Sequence, residues 1–154
     1  MCTAVSYRSN ASYFGRNLDL DRGYGERVVI TPRNYEIQMR CEKPIRSHDA
    51  MIGMACVVDD FPLYYEATNE HGVSMAGLNF PENAVYGSFV EGKDNVTPFE
   101  LIPWVLARSK VNWSGMQPSH TTITEQSVSV ATAQMLTLVI TVNHTQLLGA
   151  LPIT

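Results

Sequence analysis

All 11 lysines and arginines of the 154-residue chain lie within residues 1–110, together with 14 of its 15 aspartates and glutamates. Residues 111–154 hold a single charged side chain, Glu125, among many Ser, Thr and Gln. A folded domain spreads charge over its whole surface, so this division confines a conventional core with a solvated shell to the first 110 residues. The uncharged stretch MLTLVITV has the profile of a buried strand or an aggregation-prone segment. It is too short, and too interrupted by Thr, Asn, His and Gln, to span a bilayer. We expect residues 1–110 to form one unit. Residues 111–154 are expected to be a divergent low-charge tail, as a truncation followed by a shifted reading frame would leave. A genuine polar strand region is the alternative.

Within the first 110 residues the pattern is that of short strands followed by one helix. TAVSY alternates with period two, SNAS has turn chemistry and SYFGRNL runs back, which predicts a hairpin from the start of the chain. RVVITP is a strand closed by Pro32. AMIGMACVV is a longer apolar strand stopped by DDFP, and Asn69-Glu70-His71-Gly72 is a turn. VSMAGLNF, closed by Pro81, is expected to pair with AMIGMACVV across a long loop. TPFELIPWVLARSK reads as a helix, with Thr97 and Glu100 as a capping box, Pro98 in the first turn and Pro103 bending it early. Strands and then a helix, with no βαβ alternation, indicate an antiparallel α+β layer.

A net charge of −4 without a basic arm gives no electrostatic basis for nucleic-acid binding. Three cysteines (Cys2, Cys41 and Cys56) with no CxxC pair point to free thiols in a reducing compartment. MCTAVSYRSN has neither the basic nor the apolar region of a signal peptide, so a cytoplasmic location without a membrane anchor is expected. No phosphate loop or dinucleotide fingerprint occurs. Cys41, Cys56 and His48 match no zinc spacing, so neither metal nor cofactor is expected. His71 reads as a turn residue, and Leu101 and Trp104 as the core face of the helix.

The residue that stands out is Cys2. Removing Met1 would leave a cysteine carrying both a thiol and a free α-amine, whose ordinary pKa values of about 8.5 and 7.7–8.0 lie close together. One residue could then supply both nucleophile and base. Such a site also needs a cation beside the thiolate, a carboxylate on the amine and donors for the oxyanion. If TAVSY pairs with the strand through Gly15 and Arg16, Arg16 is the candidate cation, and Asp19 or Asp21 the carboxylate. Arg16 and Asp19 are three apart and would point to opposite faces of a straight strand. The chain is therefore predicted to bend after Asn17.

Taken together, MCTAV, YFGRNLD, TPRNY, DDFPLYYEATNEHGVSMAGLNFP and TPFELIPWVLA resemble the choloylglycine hydrolase family of bile salt hydrolases and penicillin V acylases, from Met1 to about Lys110. The resemblance implies the N-terminal portion of an αββα sandwich of the N-terminal nucleophile hydrolase type, incomplete here because full-length relatives are far longer. It implies hydrolysis of a non-peptide C–N amide by Cys2, with Arg16 beside the thiol and Asp19 on the amine. The backbone N–H of Asn79 would serve the oxyanion hole, and Leu18, Tyr24, Val58 and Tyr65 would line the substrate pocket. Asn at position 79, where penicillin V acylases tend to have Tyr, favours conjugated bile salts over penicillin V. Relatives are commonly homotetramers. The family's later catalytic Asn and Arg have no counterpart after Lys110, so weak or absent activity is expected of this chain alone. A non-catalytic remnant or interaction module, with Cys2 incidental, is the competing reading.

Overall fold

The computed structural model describes residues 2–78 and 88–109, together with the strand backbones at 128–130, 138–142 and 145–149. In chain order the elements are β1 (Thr3–Arg8), β2 (Ser12–Asn17), β3 (Arg27–Thr31), β4 (Met51–Val58), β5 (Phe61–Asn69), β6 (Ser74–Ala76), β7 (Asp94–Val96), α1 (Pro98–Arg108), β8 (Val128–Val130), β9 (Leu138–Val142) and β10 (Thr145–Gly149). β1 and β2 form the N-terminal hairpin, in register from Thr3 opposite Asn17 to Arg8 opposite Ser12. A six-stranded antiparallel sheet runs in the order β10-β9-β6-β5-β4-β3. β7 and β8 pair in parallel, a departure from the wholly antiparallel expectation. Parallel neighbours require a crossover connection, and the chain between these two contains α1.

The long loop expected after AMIGMACVV is instead a strand, and β4 pairs with β5 before β5 pairs with β6. Two features disguised it. Asp59 and Asp60 both take left-handed φ values, 49° and 62°, as a two-residue hairpin turn requires. Pro62 stands opposite Val57, one pair beyond the closing pair Val58–Phe61, where a missing N–H removes no bond to β4. The Asn69–Gly72 turn forms as expected, with Gly72 at φ 75°.

Facing partners in a ladder share a side of the sheet. Thr31, Met51 and Asn69 stand in line across β3, β4 and β5, and all three are buried. With Ala55, Tyr64 and Ala67 they form the side that meets α1, whose Leu101, Ile102, Trp104, Val105 and Leu106 complete the core. Glu100 begins the helix by accepting hydrogen bonds from the Thr97 amide at 2.9 Å and the Thr97 hydroxyl at 2.6 Å, and it also takes the Arg40 amide. The opposite side of the sheet carries Val28, Ile30, Ile52, Met54 and Glu66 and meets the hairpin through Arg16. Val28, Ile30 and Ile52 remain largely exposed there. The hairpin and the six-stranded sheet thus form two β layers, with α1 on the outer face of the sheet.

One irregularity decides which side chains reach the hairpin. The β4–β5 register slips between Met54 and Ala55, which face Glu66 and Tyr64 respectively, leaving Tyr65 as the extra residue of a bulge. Tyr64 and Glu66 are two apart and would share a face in a regular strand. The bulge sends Tyr64 to the helix side, where its hydroxyl bonds Thr31 Oγ1 at 2.7 Å, and keeps Glu66 on the hairpin side. Gly53 permits this close approach: a Cβ there would lie 1.9 Å from the Glu66 carbonyl oxygen.

Candidate active site

Cys2 stands one residue before β1. Cys2, Ala4 and Ser6 are half-buried, while Thr3, Val5 and Tyr7 face solvent, so the period-two pattern of the strand puts Cys2 on the inner face of the hairpin. β2 ends at Asn17, whose side-chain oxygen accepts the Thr3 amide, and the chain leaves the strand there. That departure brings the backbone carbonyl of Asp19 to 3.8 Å from Cys2 Sγ, a long S–H···O contact.

Arg16 stands opposite Ala4 and so shares the inner face with Cys2. The two are diagonal neighbours, roughly 7–8 Å apart between Cα atoms and within range of a long side chain. The Arg16 side chain is 96% buried, and its Nη1 donates to Glu66 Oε2 at 3.3 Å across the layers. Its Nε–H is buried with no hydrogen-bond partner. Burial pushes the Glu66 carboxyl up, against the opposing pull of the Arg16 guanidinium. The sequence reading missed Glu66, which lies 50 residues from Arg16 and takes its orientation from a bulge with no motif of its own.

Asn79 lies outside the described residues. Leu18, just past β2, is half-buried, while Tyr24 and Val58 are more than half exposed. The Arg22 guanidinium lies over the Tyr24 ring at 5.2 Å. Cys56 links two of these positions: its thiol donates to the Tyr24 carbonyl at 3.2 Å and contacts the Tyr65 hydroxyl at 3.3 Å. Burial, and next the Cys56 thiol, push the Tyr65 hydroxyl up to about 12. Val58 follows Cys56 by two residues on the same strand. The signal that could have found Cys56 was this period-two spacing to Val58.

Among the described residues no group of three or more His, Cys, Asp or Glu could hold a metal ion. Both ring nitrogens of buried His48 are taken by backbone carbonyls, Asp49 and Tyr35, each at 2.7 Å. His71 contacts Asp49 Oδ2 at 2.9 Å from the Asn69–Gly72 turn. Cys2, Cys41 and Cys56 are free thiols, Cys41 exposed and Cys56 buried. No helix among the described residues is long and apolar enough to cross a membrane.

The family model for linear amide C–N hydrolases of the choloylglycine hydrolase family matches residues 2–142. A bile salt hydrolase/transferase of Lactiplantibacillus plantarum is 48% identical over 108 residues, covering 70% of this chain and 33% of that protein. A conjugated bile acid hydrolase of Lactobacillus gasseri is 42% identical over 108 residues, covering 68% of this chain and 34% of that protein. The crystal structure of a Clostridium perfringens conjugated bile acid hydrolase, with alanine replacing its second-position cysteine, superposes with a TM-score of 0.63 at 32% identity. It covers 70% of this chain and 34% of that one. An arginine-to-leucine variant of the same enzyme superposes at 0.62, with 29% identity. The chain therefore spans about a third of the length of the relatives it matches. The match, together with a ββα arrangement around an N-terminal Cys2, establishes that this chain belongs to the choloylglycine hydrolase family of linear amide C–N hydrolases.

Proposed function

We propose that this chain carries the nucleophile of a cysteine amidohydrolase acting on glycine- or taurine-conjugated bile salts in the cytoplasm. The observation that carries the reading is the placement of Cys2 on the inner face of the hairpin, diagonal to a buried arginine. Loss of Met1 frees the Cys2 amine. The Cys2 thiolate, favoured by the Arg16 guanidinium, then attacks the amide carbonyl carbon, and the amine carries the thiol proton to the departing glycine or taurine nitrogen. The bile-acid thioester on Cys2 is hydrolysed when the same amine takes a proton from water. Asp19 holds the amine, and the Asn79 backbone N–H meets the oxyanion; one such donor typically contributes about 10²–10³ in rate. Leu18, Tyr24, Val58 and Tyr65 line the steroid pocket. We read residues 111–154 as a divergent tail, and a homotetramer as the assembly of full-length relatives.

Because the later catalytic regions of the family lie beyond the match, slow turnover is the expectation and the covalent step is the one to observe. Incubation with glycocholate or taurocholate should leave a cholyl thioester on Cys2, detectable by mass, and none on the Cys2→Ala variant. A phenoxyacetyl adduct from phenoxymethylpenicillin, with none from either bile salt, would move the assignment to the penicillin V acylases. No adduct from any of the three would contradict the enzymatic reading.

A further inference from the structure

Glu66 stands out among the groups not used so far. It lies on a different element from the nucleophile and takes its orientation from the β4–β5 bulge. It is also the partner of a guanidinium that is 96% buried. An arginine next to a thiol has two ways to fail: it can drift to solvent, or it can present the wrong edge. Glu66 Oε2 occupies Nη1 at 3.3 Å, at one end of the planar fork. The Nε–H, on the other edge, is buried and without a hydrogen-bond partner, so that edge can still take an acceptor. On the same face, two residues from the position opposite Arg16, lies Cys2.

We propose that Glu66 is the positioning residue for Arg16, fixing Nη1 so that the guanidinium's Nε edge is directed at the Cys2 thiolate. The bulge at Tyr65 and the missing side chain at Gly53 are the devices that bring Glu66 to this position. The proposal rests on the reading of Cys2 as the nucleophile and Arg16 as its cation. It adds that the arginine works only while its far end is held. Positioning and simple charge predict opposite results. Glu66 is an anion near the site, and if charge alone mattered its removal would favour the thiolate. If it positions Arg16, removal frees the guanidinium and disfavours the thiolate.

The test is the rate of Cys2 alkylation by iodoacetamide as a function of pH, on Met1-processed protein, with circular dichroism confirming that each variant is folded. Arg16→Leu tests the underlying reading; Glu66→Ala and Glu66→Gln test the proposal. Arg16→Leu should slow alkylation near neutral pH and raise the midpoint of the profile. Glu66→Ala should do the same, by about fivefold in rate. Glu66→Gln, which keeps an oxygen acceptor of the same reach, should stay within about twofold of the parent. Faster alkylation in both Glu66 variants, no change in either, or equal slowing in both would overturn the positioning role while Arg16→Leu still slowed the reaction. An Arg16→Leu variant as fast as the parent would sink the underlying reading, and the proposal with it.

Discussion

At the scale of single residues, Glu66 is drawn two ways. Burial raises its pKa above the ordinary 4.5, and the Arg16 guanidinium pulls it down by less. As pH rises past 4.5 the unfolded chain releases this proton before the folded chain does. The group's contribution to stability is therefore complete below 4.5 and is lost as pH climbs through the raised native value. Thermal melts of the parent and Glu66→Gln between about pH 4 and 7 should show the parent losing ground to the variant as pH increases. A gap that stays constant would mean that burial and Arg16 balance, and one that moves the other way would mean that Arg16 outweighs burial. Cys2 and Arg16 could be read as neighbours from sequence because a short hairpin sets their register by local pairing, whereas that pairing left Asp19 and Asp21 open and only the family resemblance chose Asp19. Glu66 could not be read from sequence, because its orientation depends on a bulge and on contact with a hairpin 50 residues away.

At the scale of elements, Asn69 ties three pieces together. Its Nδ2 donates to the carbonyls of Leu106 at 3.0 Å and Ser109 at 2.8 Å, closing the end of α1. Its Oδ1 accepts the amides of His71 at 3.1 Å and Val73 at 3.0 Å, shaping the turn into β6. Helix ends leave carbonyls without intrahelical partners, and α1 has no glycine cap, so the side chain of β5 supplies what the helix lacks. Asn69→Ala leaves buried groups unpaired and should cost about 3 kcal/mol in urea denaturation. A loss of less than about 1 kcal/mol would mean that water replaces these bonds without penalty. The helix itself was legible, because its Thr97–Glu100 start and apolar face are written locally. β5 was not, because Asp-Asp followed by Phe-Pro reads as a stop when the turn's left-handed φ values cannot be seen.

At the scale of the whole molecule, the two β layers are unequal. The six-stranded sheet is backed by α1 and a continuous core, whereas the β1–β2 hairpin exposes Val5, Tyr7 and Tyr13 and meets the sheet through the Arg16–Glu66 pair. Backbone amides of β1 and β2 should therefore exchange with deuterium well before those of β4 and β5; equal protection would mean that the hairpin is part of the same cooperative unit. The α+β layering was legible from the order of strands and helix. The pairing of Ser74 in β6 with Thr141 in β9 was not, since nothing in the uncharged segment announces a partner. The central claim is that processing converts Cys2 into the reactive residue of this fold, and thiol mapping tests it most directly. Intact mass should show that Met1 is gone, and sub-stoichiometric iodoacetamide should label Cys2 ahead of the more exposed Cys41 and the buried Cys56. Retained Met1, or Cys41 labelled first, would contradict the account.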